Sequence, residues 1–291
     1  MKSAFVALTG RPSAGKSTLM NTLCGHKISI VSPVPQTTRN KVRGIYNDRR
    51  GQLVFLDTPG YFSGEKKFNS YMHDVLSGAL SEADILLYLI DLSRPPGQEE
   101  ELLAGLVKKA KKPLVIGLNK SDLPGADAAA ANAMIDKFGL TGEKIVLSGL
   151  SGTNSGLLLD KLFAAAEEGE PFYPGEYYTD QDPAFRISEI IREKAILKTR
   201  QEVPHALYIE IADMEMREEG KRLWVRGFLC VQRESQKGIL IGRGGAVIKA
   251  IVQEAQAELN GIFPYAVQLD FRVRVRPKWK NNDSLLKHLI R

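Results

Sequence analysis

Three short segments carry residue types whose spacing could do chemistry. The first is Gly10-Arg11-Pro12-Ser13-Ala14-Gly15-Lys16-Ser17, followed by Thr18. It fits G-x-x-x-x-G-K-S/T in full. Its glycines let consecutive backbone N–H groups curl around phosphate oxygens, and the helix start behind them adds partial positive charge. Lys16 would reach the β- and γ-phosphates, and Ser17 would give a hydroxyl to Mg²⁺. The second is Asp57-Thr58-Pro59-Gly60, closing the apolar run Leu53–Leu56. A carboxylate there faces the phosphates and holds the Mg²⁺ shell, while the Gly60 N–H can point at the γ-phosphate. The third is Asn119-Lys120-Ser121-Asp122, after Leu114–Leu118. Asp122 can accept from the ring N–H and exocyclic amine on one edge of guanine. Adenine lacks that donor pair and would leave a buried charge unpaired. A looser fourth segment, Ser148-Gly149, could bring backbone near the guanine O6.

These residues need a scaffold that delivers them to one edge. The runs Ala4–Leu8, Leu53–Leu56, Ile85–Ile90, Leu114–Leu118 and Ile145–Leu147 read as buried strands, each ending in a polar or glycine-rich turn. Helical patterns lie between them at Ser17–Leu23, Gln98–Lys111 and Ala126–Phe138. Continuous apolar strands spaced by helices predict an α/β domain with a mainly parallel sheet covered on both faces.

The alternation stops near residue 167, and the proline- and acid-rich stretch that follows reads as a linker. Domains are expected at 1–170 and 184–291, with the linker at 171–183. The second module begins with an amphipathic helix over Ala184–Arg200. Two strands follow, Leu207–Ala212 and Leu223–Val231, then a helix from Ala246 to Leu259. Its last strand, Val267–Val275, alternates apolar and polar residues. Between the second strand and the helix stands Ile241-Gly242-Arg243-Gly244-Gly245, flanked by Lys237 and Lys249. A helix, a short glycine loop and a second helix in this order resemble a bacterial-type (type II) KH domain, whose loop clamps a single-stranded backbone of about four nucleotides. A tight helix junction is the plainer alternative.

Charge points the same way. The chain has 291 residues and a formal net charge of +6. Phe271–Arg291 holds seven basic residues against Asp283 alone, so everything before it sums to zero. A basic end beside a folded module suggests a polyanion partner, with a solubilising tail as the alternative. Hydrophobic residues at 43% and charged residues at 25% exclude wholesale disorder. No apolar run approaches the roughly 20 residues of a membrane span, and the N-terminus leaves no room for a secretory signal. The two cysteines, Cys24 and Cys230, make neither a disulfide framework nor a zinc site. Both are expected as buried, reduced thiols of a cytoplasmic protein.

Together the segments resemble a translation-factor-type GTPase. Gln36-Thr37-Thr38-Arg39 looks like the first switch loop of the bacterial Era GTPase family. By that resemblance Thr38 meets Mg²⁺ when GTP is bound, with Thr37 as the alternative, and Lys16, Thr38 and Gly60 act in hydrolysis. GTP or GDP and Mg²⁺ are the implied ligands. The implied partners are the 3′ end of 16S ribosomal RNA and the small ribosomal subunit, in whose assembly the family assists. Peripheral contact with the inner face of the cytoplasmic membrane is also implied, and DNA is not. A nucleotide-gated RNA chaperone with incidental turnover would use the same residues. Two positions depart from the family pattern. Ser13 stands where Asn usually helps hold a potassium ion, and Tyr61 stands where the family has an aliphatic residue and Ras-like enzymes a Gln. Without that Gln, water is expected to be held by backbone, including the Thr38 loop.

Overall fold

The computed structural model describes residues 1–61 and 67–290. Arg291, counted above in the basic end, lies outside them. Apolar strands and glycine turns alternate from the first residues: β1 (Lys2–Thr9), α1 (Lys16–Cys24), β2 (Val42–Asp48), β3 (Gly51–Asp57), α2 (Lys67–Glu82), β4 (Ile85–Asp91), α3 (Gln98–Ala110), β5 (Leu114–Asn119), α4 (Ala129–Phe138), β6 (Glu143–Val146), α5 (Ser155–Ala165) and β7 (Glu167–Glu168). The sheet runs β2-β3-β1-β4-β5-β6. Strands β3, β1, β4, β5 and β6 are mutually parallel, β2 is antiparallel to β3, and β7 pairs antiparallel with the start of β1.

Every residue of β3 and β4 is buried, as expected for strands covered on both faces. Val54, Leu56, Leu86 and Tyr88 of the sheet pack with Leu76 of α2, Leu103 of α3 and Ile135 of α4. The parallel strands deliver Thr9, Asp57, Asp91 and Asn119 to one edge, where ligands of such sheets bind.

The chain divides into two compact units, Met1–Asp180 together with residues 286–290, and Gln181–Leu285. In the second, α6 (Pro183–Leu197) and α7 (Val203–Ala206) precede β8 (Tyr208–Arg217) and β9 (Arg222–Val231). Then come α8 (Glu234–Ile241), α9 (Ala246–Ile262) and β10 (Ala266–Val275); α10 (Asp283–Leu289) begins in this unit and ends among the residues assigned to the first. The sheet order is β10-β9-β8, with β8 antiparallel and β10 parallel to β9. Ile187 and Ile191 of α6, Leu240 of α8 and Ile251 and Leu259 of α9 bury against Val225, Leu229 and Leu269. The alternation in β10 holds over Val267, Leu269 and Phe271, buried between exposed or half-buried neighbours, and fades after Arg272, where Val273, Arg274 and Val275 are all half-buried.

Several findings differ from the sequence reading, which also did not place helices α2 and α5. Strand β2 was missed, because VRGIYND mixes polarity at a sheet edge. Cys230 is buried, but Cys24 at the end of α1 is only partly so; burial still pushes both thiols up to about 12. The basic end is not a free tail. Arg274 and Arg276 lie 3.3 and 3.7 Å from Glu210, and Trp279 is 2% exposed, donating to the Ala206 carbonyl at 2.8 Å.

The proline-rich stretch also has defined partners within the first unit. The Gln52 amide oxygen accepts from the N–H groups of Phe172 and Tyr173, and its nitrogen donates to the Tyr173 carbonyl. The Ile45 N–H on β2 donates to the Tyr178 carbonyl at 2.9 Å, and Arg43 pairs with Asp180 at 2.8 Å.

Candidate functional site

The Gly10–Ser17 loop is shaped by its glycines. A Cβ on Gly10 would sit 2.6 Å from the Leu89 carbonyl, and Gly15 at φ +95° would drive one into the Asn119 amide. Ser13 takes the left-handed region too, at φ 64°. Lys16 folds back over the loop, donating to the carbonyls of Gly10 at 2.8 Å and Arg11 at 3.0 Å. Burial pushes its ammonium down to about 8, against the pull of Asp57 and Glu100.

The three proposed metal contacts converge. Ser17 Oγ donates to Asp57 Oδ2 at 2.6 Å, and Thr38 Oγ1 lies 3.1 Å from Ser17 Oγ. Asp57 is fully buried, and burial raises its carboxyl against the opposing Ser17 hydroxyl and Lys16. Its second oxygen, Oδ1, has no hydrogen-bond partner among the described residues. A buried carboxylate oxygen left open beside two hydroxyls suits a hard cation such as Mg²⁺. Thr37, the alternative, turns into its own loop, donating to the Val34 carbonyl at 2.6 Å and meeting Ser32 Oγ at 2.5 Å.

Thr58 is buried and donates to the Leu8 carbonyl, tying the end of β3 to β1. Pro59 leads into Gly60, where a Cβ would meet Pro12 N at 2.6 Å. The Gly10–Ser17 and Asp57–Gly60 segments therefore touch through backbone. A cleft of about 480 Å³ opens between them, with Lys16, Ser17, Thr18, Thr38, Gly60 and Lys120 among its walls. Tyr61 is turned to His73 of α2, ring centroids 4.8 Å apart.

Asn119 joins the other two segments. Its amide nitrogen donates to the Ala14 carbonyl at 2.7 Å, and its oxygen accepts from the Gly149 N–H at 2.8 Å. The Gly149 N–H is therefore committed to Asn119. Ser148 is buried and its hydroxyl accepts from the Ser151 N–H. The Asp122 side chain, by contrast, is exposed at the loop's tip. Arg11 points away from the cleft, to the carbonyls of Pro95, Asp91 and Arg94 and to Glu100 Oε2 at 3.2 Å. This buried cluster, with Tyr88 OH on Glu100 Oε1 at 2.8 Å, was not read from the sequence. Its one signal was Asp91 closing an apolar run.

In the second unit, Ile241 ends α8 and Ala246 begins α9. Gly242, Gly244 and Gly245 all take positive φ, at 71°, 59° and 79°. A Cβ on Gly242 would sit 3.0 Å from the Cβ of Val247, so a glycine fits that junction. Arg243 and Gly244 are exposed, and nothing lies within 4 Å of a Cβ on Gly244. Lys249 is exposed; Lys237, one turn before the loop, lies 3.5 Å from Glu234.

A parallel sheet with this glycine loop, strand-end carboxylate and N-K-S-D turn is that of a P-loop GTPase, and the αββααβ unit with its glycine loop is that of a KH domain. Residues 5–120 match the family described as 50S ribosome-binding GTPase, and residues 202–280 the KH domain. The chain belongs to the GTPase Era family. It is 49% identical to GTPase Era of Treponema denticola over 99% of each chain. It is also similar to two solved structures. One is an alanine-for-tyrosine variant of Aquifex aeolicus Era bound to GDP and AlF₄⁻, with TM-score 0.93, 34% identity and 99% of each chain covered. The other is Era with MgGDPNP and nucleotides 1506–1542 of 16S ribosomal RNA, with TM-score 0.95, 33% identity and 99% and 98% covered.

Proposed function

We propose that this chain is a GTP-hydrolysing switch whose KH domain binds single-stranded RNA at the 3′ end of 16S ribosomal RNA during small-subunit assembly. The observation that carries the reading is the convergence of Ser17, Thr38 and the half-satisfied Asp57 beside the Lys16 loop. The relative solved with MgGDPNP and 16S nucleotides supports the RNA half.

GTP is held by the Gly10–Thr18 loop, with Arg11, Pro12, Ser13 and Ala14 contributing backbone. Thr58 and Pro59 hold the Gly60 turn against that loop. Asn119 locks the base-recognition turn to both the phosphate loop and Gly149, and Asp122 reads guanine. Ser17, Thr38 and Asp57 would hold Mg²⁺, whose charge would neutralise that on the phosphate oxygens. Lys16 stabilises the charge that develops on the transferring phosphoryl group. The Gly60 N–H and the backbone of the Thr38 loop orient the attacking water. Tyr61, turned to α2, offers no amide for that task.

RNA phosphates approach the exposed Arg243–Gly245 turn, with Ile241 and Gly242 supporting it and Lys237 and Lys249 adding charge. The GTPase domain takes residues 1–170, residues 171–180 are strapped to it, and the RNA-binding domain opens at α6. Among the described residues no helix is long and apolar enough to cross a membrane. Residence in the cytoplasm, with peripheral contact at the inner membrane face, follows the family resemblance.

The test is single-turnover GTP hydrolysis together with RNA affinity in GTP-analogue and GDP states, using a 3′-end 16S oligonucleotide. Affinity that differs between the states, with measurable turnover, supports the switch. Identical affinity in both states removes it.

A further inference from the structure

Asp91 belongs to none of the segments that face nucleotide, yet its carboxylate gathers cations from three loops. It is 1% exposed at the end of β4. Its Oδ2 accepts from Lys120 Nζ at 2.9 Å and Arg94 Nε at 3.1 Å, with Arg11 Nη2 3.7 Å away. Its Oδ1 accepts from the Ser93 N–H at 3.0 Å and the Ser93 hydroxyl at 2.6 Å. Burial works to raise this carboxyl, but the Ser93 and Lys120 donors more than offset it and hold it below its ordinary value.

The three cations do not depend on Asp91 equally. Arg11 has carbonyl acceptors on Pro95, Asp91 and Arg94 and an ion pair with Glu100. Arg94 is half-exposed and also donates to the Pro12 carbonyl at 2.9 Å. The Lys120 ammonium has Asp91 as its hydrogen-bonded partner among the described residues. Lys120 also sits at φ 67°, a left-handed conformation that a residue with a Cβ avoids unless its surroundings hold it. The Leu92 N–H, next to Asp91, donates to the Asn119 carbonyl at 2.9 Å, so backbone and side chain tie the same two turns. The Lys120 side chain lines the nucleotide cleft.

We propose that Asp91 is a positioning residue for guanine nucleotide: from the end of β4 its carboxylate pins the Lys120 ammonium, so that the lysine stem stands as a preformed wall of the cleft and the Asn119–Asp122 turn is ordered before nucleotide arrives. This rests on the reading that Lys120 contacts nucleotide. A lysine stem has large rotamer freedom, and fixing it beforehand removes that cost from the binding step. The effect falls on retention of nucleotide more than on chemistry, which sits at Lys16, Thr38 and Asp57.

The test is a double-mutant cycle on the full chain with Asp91→Asn, Lys120→Met and both together. GDP release is followed with a fluorescent GDP, thermal unfolding without nucleotide, and single-turnover hydrolysis at saturating GTP. Asp91→Asn should speed GDP release about tenfold, the loss of one charge-assisted hydrogen bond. Lys120→Met should do at least as much, and the double variant no more than Lys120→Met. Release should change far more than hydrolysis in the Asp91→Asn protein. If Lys120→Met leaves release unchanged, the nucleotide role of Lys120 fails, and this proposal with it. If Lys120→Met acts but Asp91→Asn does not, or the two effects multiply, Asp91 does not work through Lys120. If Asp91→Asn unfolds, or hydrolysis falls in step with affinity, Asp91 is general support for the domain and the positioning role is overturned.

Discussion

Ser17 and Asp57 come from separate segments and share a 2.6 Å hydrogen bond, with Thr38 on the same hydroxyl at 3.1 Å. Pattern alone does not separate the two adjacent threonines, and the family resemblance favours Thr38; in the fold they make different contacts. Thr38 meets the Ser17 hydroxyl, while Thr37 closes its own turn through Ser32 and Val34.

Thr38→Ala should therefore slow single-turnover hydrolysis on the order of a hundredfold, the usual scale for removing one electrostatic interaction at the reacting group. It should also raise the Mg²⁺ concentration needed for half-maximal rate. Thr37→Ala should stay within a few-fold of wild type, since its hydroxyl bonds to Ser32 and Val34 of its own loop. A reversed ranking would exchange their roles.

Guanine selection should rest on Asp122, whose exposed carboxylate stands at the tip of a turn locked by Asn119. Asp122→Asn should weaken GTP binding at least about a hundredfold, because the amide presents a donor where guanine already has one. Binding of xanthosine triphosphate should rise in the same variant. Titrating both nucleotides checks both halves, and unchanged GTP affinity would sink the assignment.

RNA binding should need the α8–α9 turn. Arg243→Asp with Gly244→Asp places two carboxylates where phosphates must approach; both positions are exposed, and Gly244 at φ 59° takes Asp, one of the residues that enter the left-handed region most readily, at a modest local cost. Affinity for single-stranded RNA should fall at least about tenfold at moderate salt. Cutting the chain after Pro277 would be a poor probe of the basic end, because it removes the buried Trp279 and its bond to Ala206. Arg272→Gln with Lys278→Gln changes exposed residues instead. It should weaken binding across RNA sequences and lower the salt slope by roughly one for each phosphate no longer neutralised.

Hydrolysis should be slow and largely indifferent to potassium. With Tyr61 turned to His73 and no Gln in its place, the unaided rate should lie on the order of 10⁻⁴ to 10⁻² per second. Ser13 is shorter than an Asn and offers a weaker acceptor to a monovalent cation. Its backbone lies at φ 64°, a region Asn enters more readily, so Ser13→Asn should fold normally and create potassium stimulation. Rates in potassium and sodium for both proteins decide this; strong potassium activation of the wild type would overturn it.

What was legible in the sequence was what chemistry constrains to one local string. The Lys16 loop, Asp57, the N-K-S-D turn and the Gly242–Gly245 junction each need particular residues at fixed spacing, and each lies where its flanking elements were read. What stayed hidden depends on contacts far along the chain. Arg11 was read as part of the phosphate loop, yet its side chain serves Glu100 and Asp91, some 80 or more positions away. Strand β2 carries a polar pattern because one of its edges borders the chain rather than another strand. The role of Gln52, 1% exposed, is invisible until its amide is seen holding Phe172 and Tyr173.

That amide and the Ile45–Tyr178 bond have a consequence for where the chain can be cut. Strand β2 is the open edge of the sheet, and residues 172–180 occupy it as an irregular cover strip. A fragment ending near residue 170 would retain every nucleotide-facing segment. It would also expose the Ile45 N–H and the Asn47 amide along an uncovered β2, a template on which copies pair with one another, and strip the buried Gln52 amide of β3 of its partners in residues 172–173. A soluble nucleotide-binding fragment therefore ends at Asp180 rather than at the last turn of the α/β alternation. The proline-rich stretch guards the sheet against its own edge.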